Sequence, residues 1–235
     1  MTDGKRNILL TLSYDGTDFA GWQRQKKDRS VQEELEKALG RMHGHEVPTV
    51  GAGRTDSGVH ALGQVANFYT DIRSIPADRF VPALNKLLPR DLRVLDSREA
   101  DHDFHSRYDA RLRRYRYFTL CGGARDPFRL RYAHELRRRP DLGVLNAMAG
   151  TMLGETDFTA LSSAKDASLS RHRFVHEAAF RWEGDLLVFE IAANAFLWRM
   201  VRSIVGSLLS YEAEGLGAAD FRALVESRDR SLAGP

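Results

Sequence analysis

The segment from Gly51 to Phe68, GAGRTDSGVHALGQVANF, constrains the fold more than any other part of the sequence. Apolar runs typical of β-strands flank a short stretch rich in glycine, and such a stretch turns one strand back beside the other. A plain turn needs one or two glycines, whereas this one also holds Arg54, Asp56 and His60. The segment therefore predicts a strand–loop–strand unit whose loop carries polar groups that a turn alone does not require.

The sequence around this unit predicts a first half built from strands and helices. Ser30 and Glu33 form a capping box, and the apolar residues that follow at helical spacing predict a helix over 31–43. The other elements that we expect here are strands over 6–14, 46–52, 59–69 and 92–96, and a helix from Pro76 to the stop at Leu88-Pro89.

The second half repeats this order of elements. We expect a strand over 110–121, a helix over 141–153, a hairpin over 173–182 and 186–193, an apolar helix over 196–209 and a last helix over 218–226. Strands paired by hairpins, with helices in each half, predict an α+β fold with helices on one face of a mostly antiparallel sheet. We place the two halves at 1–104 and 105–235, and the chain crosses between them near 101–110.

Positive charge is concentrated in one segment of the chain. Between His102 and Arg139 there are eleven Arg and four acids, a net charge of +7, whereas the whole chain carries +3. A base-composition bias in the genome can explain why Arg outnumbers Lys, but it does not explain this clustering. Guanidinium groups bind phosphates bidentately and stack on bases, so the segment favours a nucleic-acid partner.

Basic and aromatic residues also alternate, at 104–108 and 113–118. On a strand Arg113, Tyr115 and Tyr117 share one face, which could offer phosphate contacts and stacking surfaces. The tyrosines could equally pack in the sheet, with the arginines along a solvated face. The strand alone leaves the two interpretations even, and the neighbouring charge favours contact with nucleic acid.

Several other kinds of site are disfavoured. The pairs His43/His45 and His172/His176 have spacings that could bind a metal. The second pair lies in a predicted strand, where four residues span roughly 13 Å, and useful carboxylate partners are missing. Phosphate-binding glycine loops and a G-x-S-x-G nucleophile motif are absent from the sequence. We therefore predict no metal and no cofactor.

Two further points concern disulfides and cellular location. Cys121 is the only cysteine, so an internal disulfide is impossible. No apolar run approaches the length of a membrane span, and the first residues lack a signal-peptide pattern. We expect a cytoplasmic protein.

Arg202 stands in the apolar context FLWRMVRSIVG. An arginine among such neighbours is rarely buried without a carboxylate partner. The question is therefore which acid Arg202 meets, and Asp56 is one candidate.

Taken together, these motifs resemble those of the A-type tRNA pseudouridine synthases. The matching segments run in the family's order over nearly the whole chain: YDGTDFAGWQRQ from Tyr14, SVQE from Ser30, AGRTDSGVH from Ala52 with Gln64-Val65, Leu84-Asn85 with Leu88-Pro89, Phe104-His105-x-Arg107, RYRY from Arg114, LGETDF from Leu153, and Met200-Val201-Arg202. Each segment alone is weak evidence, whereas the set in this order is highly specific.

The resemblance implies isomerisation of uridine to pseudouridine on the 3′ side of the tRNA anticodon arm (tRNA positions 38–40). Asp56 matches the family's catalytic aspartate, and Arg202 matches the arginine that pairs with it. Arg54 matches an arginine implicated in everting the nucleotide, and Tyr115 the tyrosine that packs against the target base. The carboxylate initiates cleavage of the N1–C1′ bond, the base rotates, and C5 rejoins the sugar. Attack on the base, attack on the sugar and proton abstraction all remain open.

The partner that we expect is tRNA. The residues that we expect to contact it are Arg54, Arg73, Phe104, His105, Arg107, Tyr108 and Arg171. The resemblance also implies that the sheets of the two halves join into one continuous sheet, with the active-site cleft between the halves, and that the protein is a homodimer. Family members continue past a segment like Arg230–Pro235 into another apolar strand, so we expect the second half to lack the family's last strand.

Two hypotheses of other classes compete with an RNA-modifying isomerase. A non-catalytic RNA-binding module would gain nothing from a carboxylate aimed at a phosphate-lined groove. A nucleoside hydrolase would release free base and would not need the arginine-rich surface.

Overall fold

The computed structural model of the protein describes residues 4–122 and 126–234. They form two compact units, of which the first ends at Arg111 and the second begins at Leu112. Each unit has its own sheet, helices and hydrophobic core, which makes the fold mixed α/β. None of the helices in the described ranges is long and apolar enough to cross a membrane.

The first unit contains a four-stranded sheet. Its strands are β1 (Arg6–Tyr14), β2 (Thr49–Gly51), β3 (Ala61–Thr70) and β4 (Leu92–Ala100), and its helices are α1 (Val31–His43), α2 (Phe80–Asn85) and α3 (Ser106–Asp109). The strand order is β2-β3-β1-β4, and every neighbouring pair is antiparallel. The predicted strand over 6–14 and the predicted helix over 31–43 are confirmed at both ends.

The core of the first unit includes the apolar residues on one face of β1. Ile8, Leu10 and Leu12 are fully buried, and they belong to the same cluster as Leu35 and Leu39 of α1. The helix begins where the sequence indicates, because the Ser30 hydroxyl accepts a hydrogen bond from the Glu33 N–H at 3.3 Å. One face of the sheet is therefore covered by helix.

The second unit contains a five-stranded sheet. Its strands are β5 (Arg113–Cys121), β6 (His134–Leu136), β7 (Gly154–Asp157), β8 (His172–Glu183) and β9 (Leu186–Ala193), and its helices are α4 (Pro127–Leu130), α5 (Leu142–Gly150), α6 (Met200–Ala213) and α7 (Ala218–Ser227). The strand order is β6-β5-β9-β8-β7. The β5–β6 pair is parallel and the other pairs are antiparallel, so mostly antiparallel pairing holds in both sheets.

The sequence misplaced the start of α6. A helix was expected from Phe196, whereas α6 begins at Met200. Arg199, the residue before it, has a left-handed backbone with φ of +61°, which a continuous α-helix excludes. Of the apolar residues just before Arg199, Leu197 is buried because it joins the core of this unit from a loop, whereas Trp198 is exposed.

The second sheet has an ionic face, which consists of Arg114, Arg116, Glu177, Arg181, Glu183 and Glu190. Arg114 donates to the two carboxylate oxygens of Glu177 at 2.5 and 3.0 Å and also to Glu190. Arg116 donates to Glu183 at 2.5 Å, and Arg181 donates to Glu190 at 2.8 Å. Two of the eleven arginines counted over 102–139, Arg114 and Arg116, are therefore paired with acids from β8 and β9. Arg125, which that count includes, lies outside the described residues.

Candidate active site

The loop from Ala52 to His60 joins β2 to β3, and we call it the Asp56 loop. It opens with a hydrogen bond from the Ala52 N–H to the Val65 carbonyl at 2.8 Å. The Val59 N–H donates to the Asp56 carbonyl at 3.2 Å, which closes a tight turn around Asp56. The side chain of Asp56 is half-buried and that of Arg54 is exposed. The loop thus presents a carboxylate and a guanidinium two residues apart.

A second segment, residues 14–22, holds this loop, and we call it the clamp segment. The Trp22 N–H donates to the Thr55 carbonyl at 3.0 Å, just before Asp56 in the chain. After Asp56, the Gly58 N–H donates to the Phe19 carbonyl at 3.3 Å. Backbone bonds on both sides of Asp56 therefore fix its position without using its carboxylate.

Side chains add to this support. The Tyr14 hydroxyl and the Thr55 hydroxyl lie 2.8 Å apart, and Tyr14 is buried. The Gln64 amide donates to the Gly53 carbonyl at 2.6 Å. Burial raises the pKa of Tyr14, although hydrogen bonds with Thr55 and Gln64 act in the opposite direction. Tyr14 therefore stays a neutral phenol that hydrogen-bonds to the loop at neutral pH.

Gly21 and Gly51 are among the glycines that allow the clamp segment to pack this closely. A Cβ on Gly21 would lie 2.5 Å from the Thr55 carbonyl oxygen, and Gly21 has a φ of +104° that other residues rarely adopt. A Cβ on Gly51 would collide with the ring of Trp22, which is buried. Any larger residue at either position would push the loop away from the clamp segment.

Tyr115 and Arg202, the other residues with predicted catalytic or base-packing roles, belong to the second unit. The Tyr115 ring is half-buried and packs edge-on against Phe196, with ring centroids 4.9 Å apart. Arg202 is exposed on α6, so it is not buried among its apolar neighbours. Burial raises the pKa of Tyr117, and the positive charge of Arg202 acts in the opposite direction. Arg202 therefore lies near Tyr117 of β5.

Some of the predicted RNA-contacting residues are clustered and others are separate. His105 caps α3 and stacks on Tyr108 with ring centroids 4.3 Å apart, and Tyr108 is 77% exposed. The Phe104 carbonyl accepts from the Asn7 amide at 2.9 Å. Arg107 is exposed on the same helix.

Arg73 and Arg171 lie apart from this cluster. Arg73 is exposed and donates to the Gly4 carbonyl at 3.3 Å. Arg171, in the second unit, donates to Ser162, to the Ser163 carbonyl and to the Asp166 carbonyl. Its guanidinium therefore holds a turn of the chain in place.

The first of the two histidine pairs with metal-like spacing makes other contacts. His43 lies 2.8 Å from the Thr70 hydroxyl, and His45 lies 2.9 Å from an Asp71 carboxylate oxygen. Across residues 4–122 and 126–234 no group of three or more His, Cys, Asp or Glu could hold a metal ion.

Comparison with known proteins places this arrangement in a family. The sequence profile of a family described as tRNA pseudouridine synthase matches residues 11–109 and 148–235. These ranges include the clamp segment, the Asp56 loop and Arg202, whereas Tyr115 lies between them. The chain belongs to the tRNA pseudouridine synthase family.

Several bacterial members of the family are similar over almost the whole chain. A tRNA pseudouridine synthase A of Treponema denticola is 49% identical, over 100% of this chain and 90% of the relative. The Treponema pallidum protein of the same name is 44% identical, over 98% of this chain and 84% of the relative. The Acetivibrio thermocellus protein of that name is 39% identical, over 97% and 93%.

The supporting role of the clamp segment was missed at the level of sequence. The motif YDGTDFAGWQ was noticed, but nothing in it indicates which loop it touches. The combination of buried aromatic residues with glycines in a polar stretch was the available signal, because glycine in such a stretch often marks a close approach of two backbones.

Proposed function

We propose that the protein isomerises uridine to pseudouridine on the 3′ side of the anticodon stem-loop of tRNA, and that Asp56 is the carboxylate that initiates the reaction. Membership of the tRNA pseudouridine synthase family supports an isomerase that acts on tRNA. The role of Asp56 is supported by the way its loop is held: the clamp segment is hydrogen-bonded to the loop on both sides of this residue.

The chemistry suits a rigidly held carboxylate. Isomerisation needs no oxidant, no nucleotide cofactor and no added water, because the glycosidic bond moves from N1 to C5 of the same base. A group that acts on the reacting nucleotide must stay within a few tenths of an ångström of its place, since a misplacement of about 1 Å can cost a hundredfold in rate. The clamp segment supplies this precision to Asp56.

The target base must leave the RNA stack before a carboxylate can reach it. Arg54 is exposed two residues before Asp56, which supports its role in everting the nucleotide. Tyr115 is proposed to pack against the everted base, and Arg202 to pair with Asp56, as the resemblance implies. The same proposal includes the pairing of Arg202 with Asp56, a cleft between the two halves and a continuous sheet across them.

Further contacts with tRNA are proposed for Arg73, Phe104, His105, Arg107, Tyr108 and Arg171. The stacked rings of His105 and Tyr108 support an aromatic contact, since each stacked base is worth ~1–3 kcal/mol. A homodimer and a cytoplasmic location are also proposed, and the resemblance to the family supports both.

The experiment is a tritium-release assay with tRNA that carries tritium at C5 of uridine. An isomerase releases tritium to water, because C5 becomes the new glycosidic carbon. A nucleoside hydrolase would instead release labelled uracil, and a non-catalytic binding module would release nothing. Labelled uracil, or no release by folded protein that binds tRNA, would overturn the proposed function.

A further inference from the structure

We propose that Trp198 and Arg199 form an additional tRNA contact, in which an unpaired base stacks on the Trp198 ring and Arg199 binds the adjacent phosphate. The two residues lie in the loop between β9 and α6. This inference rests on the proposed function, because it takes tRNA as the ligand.

The first observation is the exposure of an aromatic ring. Trp198 is 40% exposed, whereas Trp22 is 3% exposed and Trp182 is half-buried with Arg139 over its ring. The Arg199 guanidinium lies over the Trp198 ring, 5.4 Å from its centroid, and its side chain is exposed. The indole of Trp198 and the guanidinium over it are therefore both exposed to solvent.

The second observation is that the chain holds Trp198 firmly in this exposed place. The Trp198 N–H donates to the Asp166 carboxylate at 2.5 Å, and the Trp198 carbonyl accepts from the Ser163 N–H at 2.9 Å. Arg171 in turn donates to the carbonyls of Ser163 and Asp166 at 3.0 and 2.9 Å. Burial alone would raise the pKa of Asp166, but the hydrogen bonds from Trp198 and Ser168 outweigh it and lower the pKa. Asp166 is thus ionised when it binds the Trp198 backbone.

The third observation is the backbone of Arg199. Among the described residues two that are not glycine have a positive φ, Arg199 at +61° and Arg228 at +57°. Arg228 ends α7, where a left-handed residue is common. Arg199 precedes the first residue of α6, where an extended backbone is usual, and its side chain makes no capping bond. Helix capping explains the positive φ of Arg228 but does not explain that of Arg199. Residues other than glycine that are held at a positive φ cluster at functional sites.

These features match the chemistry of an RNA loop. Every base has a π-face that an indole can stack on, and every nucleotide brings a phosphate that a guanidinium can bind. Because backbone bonds on both sides fix the main chain that carries the ring, little main-chain freedom is lost when a base stacks on it, which favours binding. Arg171, for which a tRNA contact of its own is proposed above, also holds the turn to which Trp198 is hydrogen-bonded.

Binding and fluorescence test the stacking contact. We expect Trp198→Ala to weaken the affinity for unmodified tRNA by about 5- to 150-fold, the loss of one stacked base. Trp198→Phe should keep most of the affinity, because a phenyl ring still stacks. In the wild-type protein, tRNA should quench the tryptophan fluorescence, and Trp198→Phe should remove that quenching since the buried Trp22 and the half-buried Trp182 remain.

Salt dependence tests the phosphate contact. Arg199→Ala should lower the slope of log affinity against log salt by about one, because one fewer counterion is released. Arg228→Ala is the matched control, since it also removes an arginine with a positive φ, and it should leave the slope unchanged.

Wild-type affinity in folded Trp198→Ala, or full quenching in Trp198→Phe, would overturn the proposal. A change in sedimentation of Trp198→Ala with unchanged tRNA affinity would assign the ring to a protein contact and would also overturn it. If Trp198→Ala does not fold, the quenching in Trp198→Phe decides. These measurements use binding alone, so a failure of the proposed catalytic function would appear separately, as absent tritium release by protein that still binds tRNA.

Discussion

Among single residues, Tyr14 and Thr55 show how the position of Asp56 is set by groups that do not react. The hydroxyl contact between them, at 2.8 Å, ties the start of the clamp segment to the residue before Asp56. Neither side chain needs to touch the substrate for this effect. Both therefore qualify as positioning residues, whose loss should change the rate more than the binding of tRNA.

The prediction for this contact is a lower kcat in Tyr14→Phe, with KM for tRNA little changed. The free energy of unfolding should fall by about 1 kcal/mol, the usual contribution of one hydrogen bond. Tyr69→Phe is the control, because the Tyr69 hydroxyl donates to the His102 carbonyl outside the Asp56 loop. Equal kcat in Tyr14→Phe and the wild type would contradict the positioning role.

Single residues also show what sequence reasoning could not find. The glycine-rich turn drew attention to Asp56 and Arg54 because charged groups in such a turn are unusual, and the resemblance to the family supplied the roles predicted for them. The exposure of Arg202 could not be foreseen, because the apolar neighbours in the sequence point to other sides of the helix and say little about its own side. The pairing of Arg114 with Glu177 was equally hidden, since 63 residues separate them in the chain.

Among elements, those with strong local signals were predicted best. The first strand is a clear apolar run, and α1 has both a capping serine and a left-handed glycine at its end, Gly44 with a φ of +73°. Short elements such as β6 and α3 carry few residues and no clear period, so nothing in the sequence marks them. The predicted start of α6 was wrong because an apolar run in the sequence looks the same whether it is part of a helix or of a loop that packs on the core.

The contact between β2 and the clamp segment gives a prediction at this scale. Gly51→Ala should lower the free energy of unfolding by about 1–3 kcal/mol, because its Cβ collides with the Trp22 ring. Gly53→Ala is the matched control in the same region, since its Cβ would meet nothing within 4 Å. Thermal melts of both variants measure the difference. Equal melting temperatures of the two variants would contradict the prediction, because they would show that β2 and the clamp segment are not tightly packed at Gly51.

The ionic face of the second sheet gives a prediction for pH. Hydrogen bonds from Arg181 and Arg114 lower the pKa of Glu190 below its ordinary value of 4.5. A carboxyl group with a lowered pKa in the folded state stabilises the protein above pH 4.5, and this stabilisation is lost as the pH falls further. Glu190→Gln should therefore reduce the free energy of unfolding at pH 7 by about 1 kcal/mol, with a smaller difference in acid.

Denaturant titrations from pH 7 to pH 3 measure this effect. Glu226→Gln, at an exposed position of α7, is the control and should follow the wild type throughout. A constant difference between Glu190→Gln and the wild type at every pH would contradict the ionic explanation.

At the scale of the whole molecule, the net charge counted along the sequence differs from the charge that remains unpaired in the folded protein. The basic segment predicted a nucleic-acid partner, and a tRNA substrate is consistent with the family to which the chain belongs. The net charge counted along this segment was only partly a valid reason for that prediction. Arg114, Arg116 and Arg129 bind acids of β8 and β9 or of the turn between these strands. Counting charges along a chain overlooks partners that folding brings from a distance.

The most direct test of the account is tritium release by Asp56→Asn in a single-turnover reaction with tRNA labelled at C5 of uridine. Asparagine keeps the size of the side chain and removes the ionisable carboxyl group. We expect the variant to fold and bind tRNA but to release tritium at least about a thousandfold more slowly, with Asp96→Asn, an exposed position of β4, as fast as the wild type. Release by Asp56→Asn at the wild-type rate would contradict the assignment of Asp56 as the reacting carboxylate.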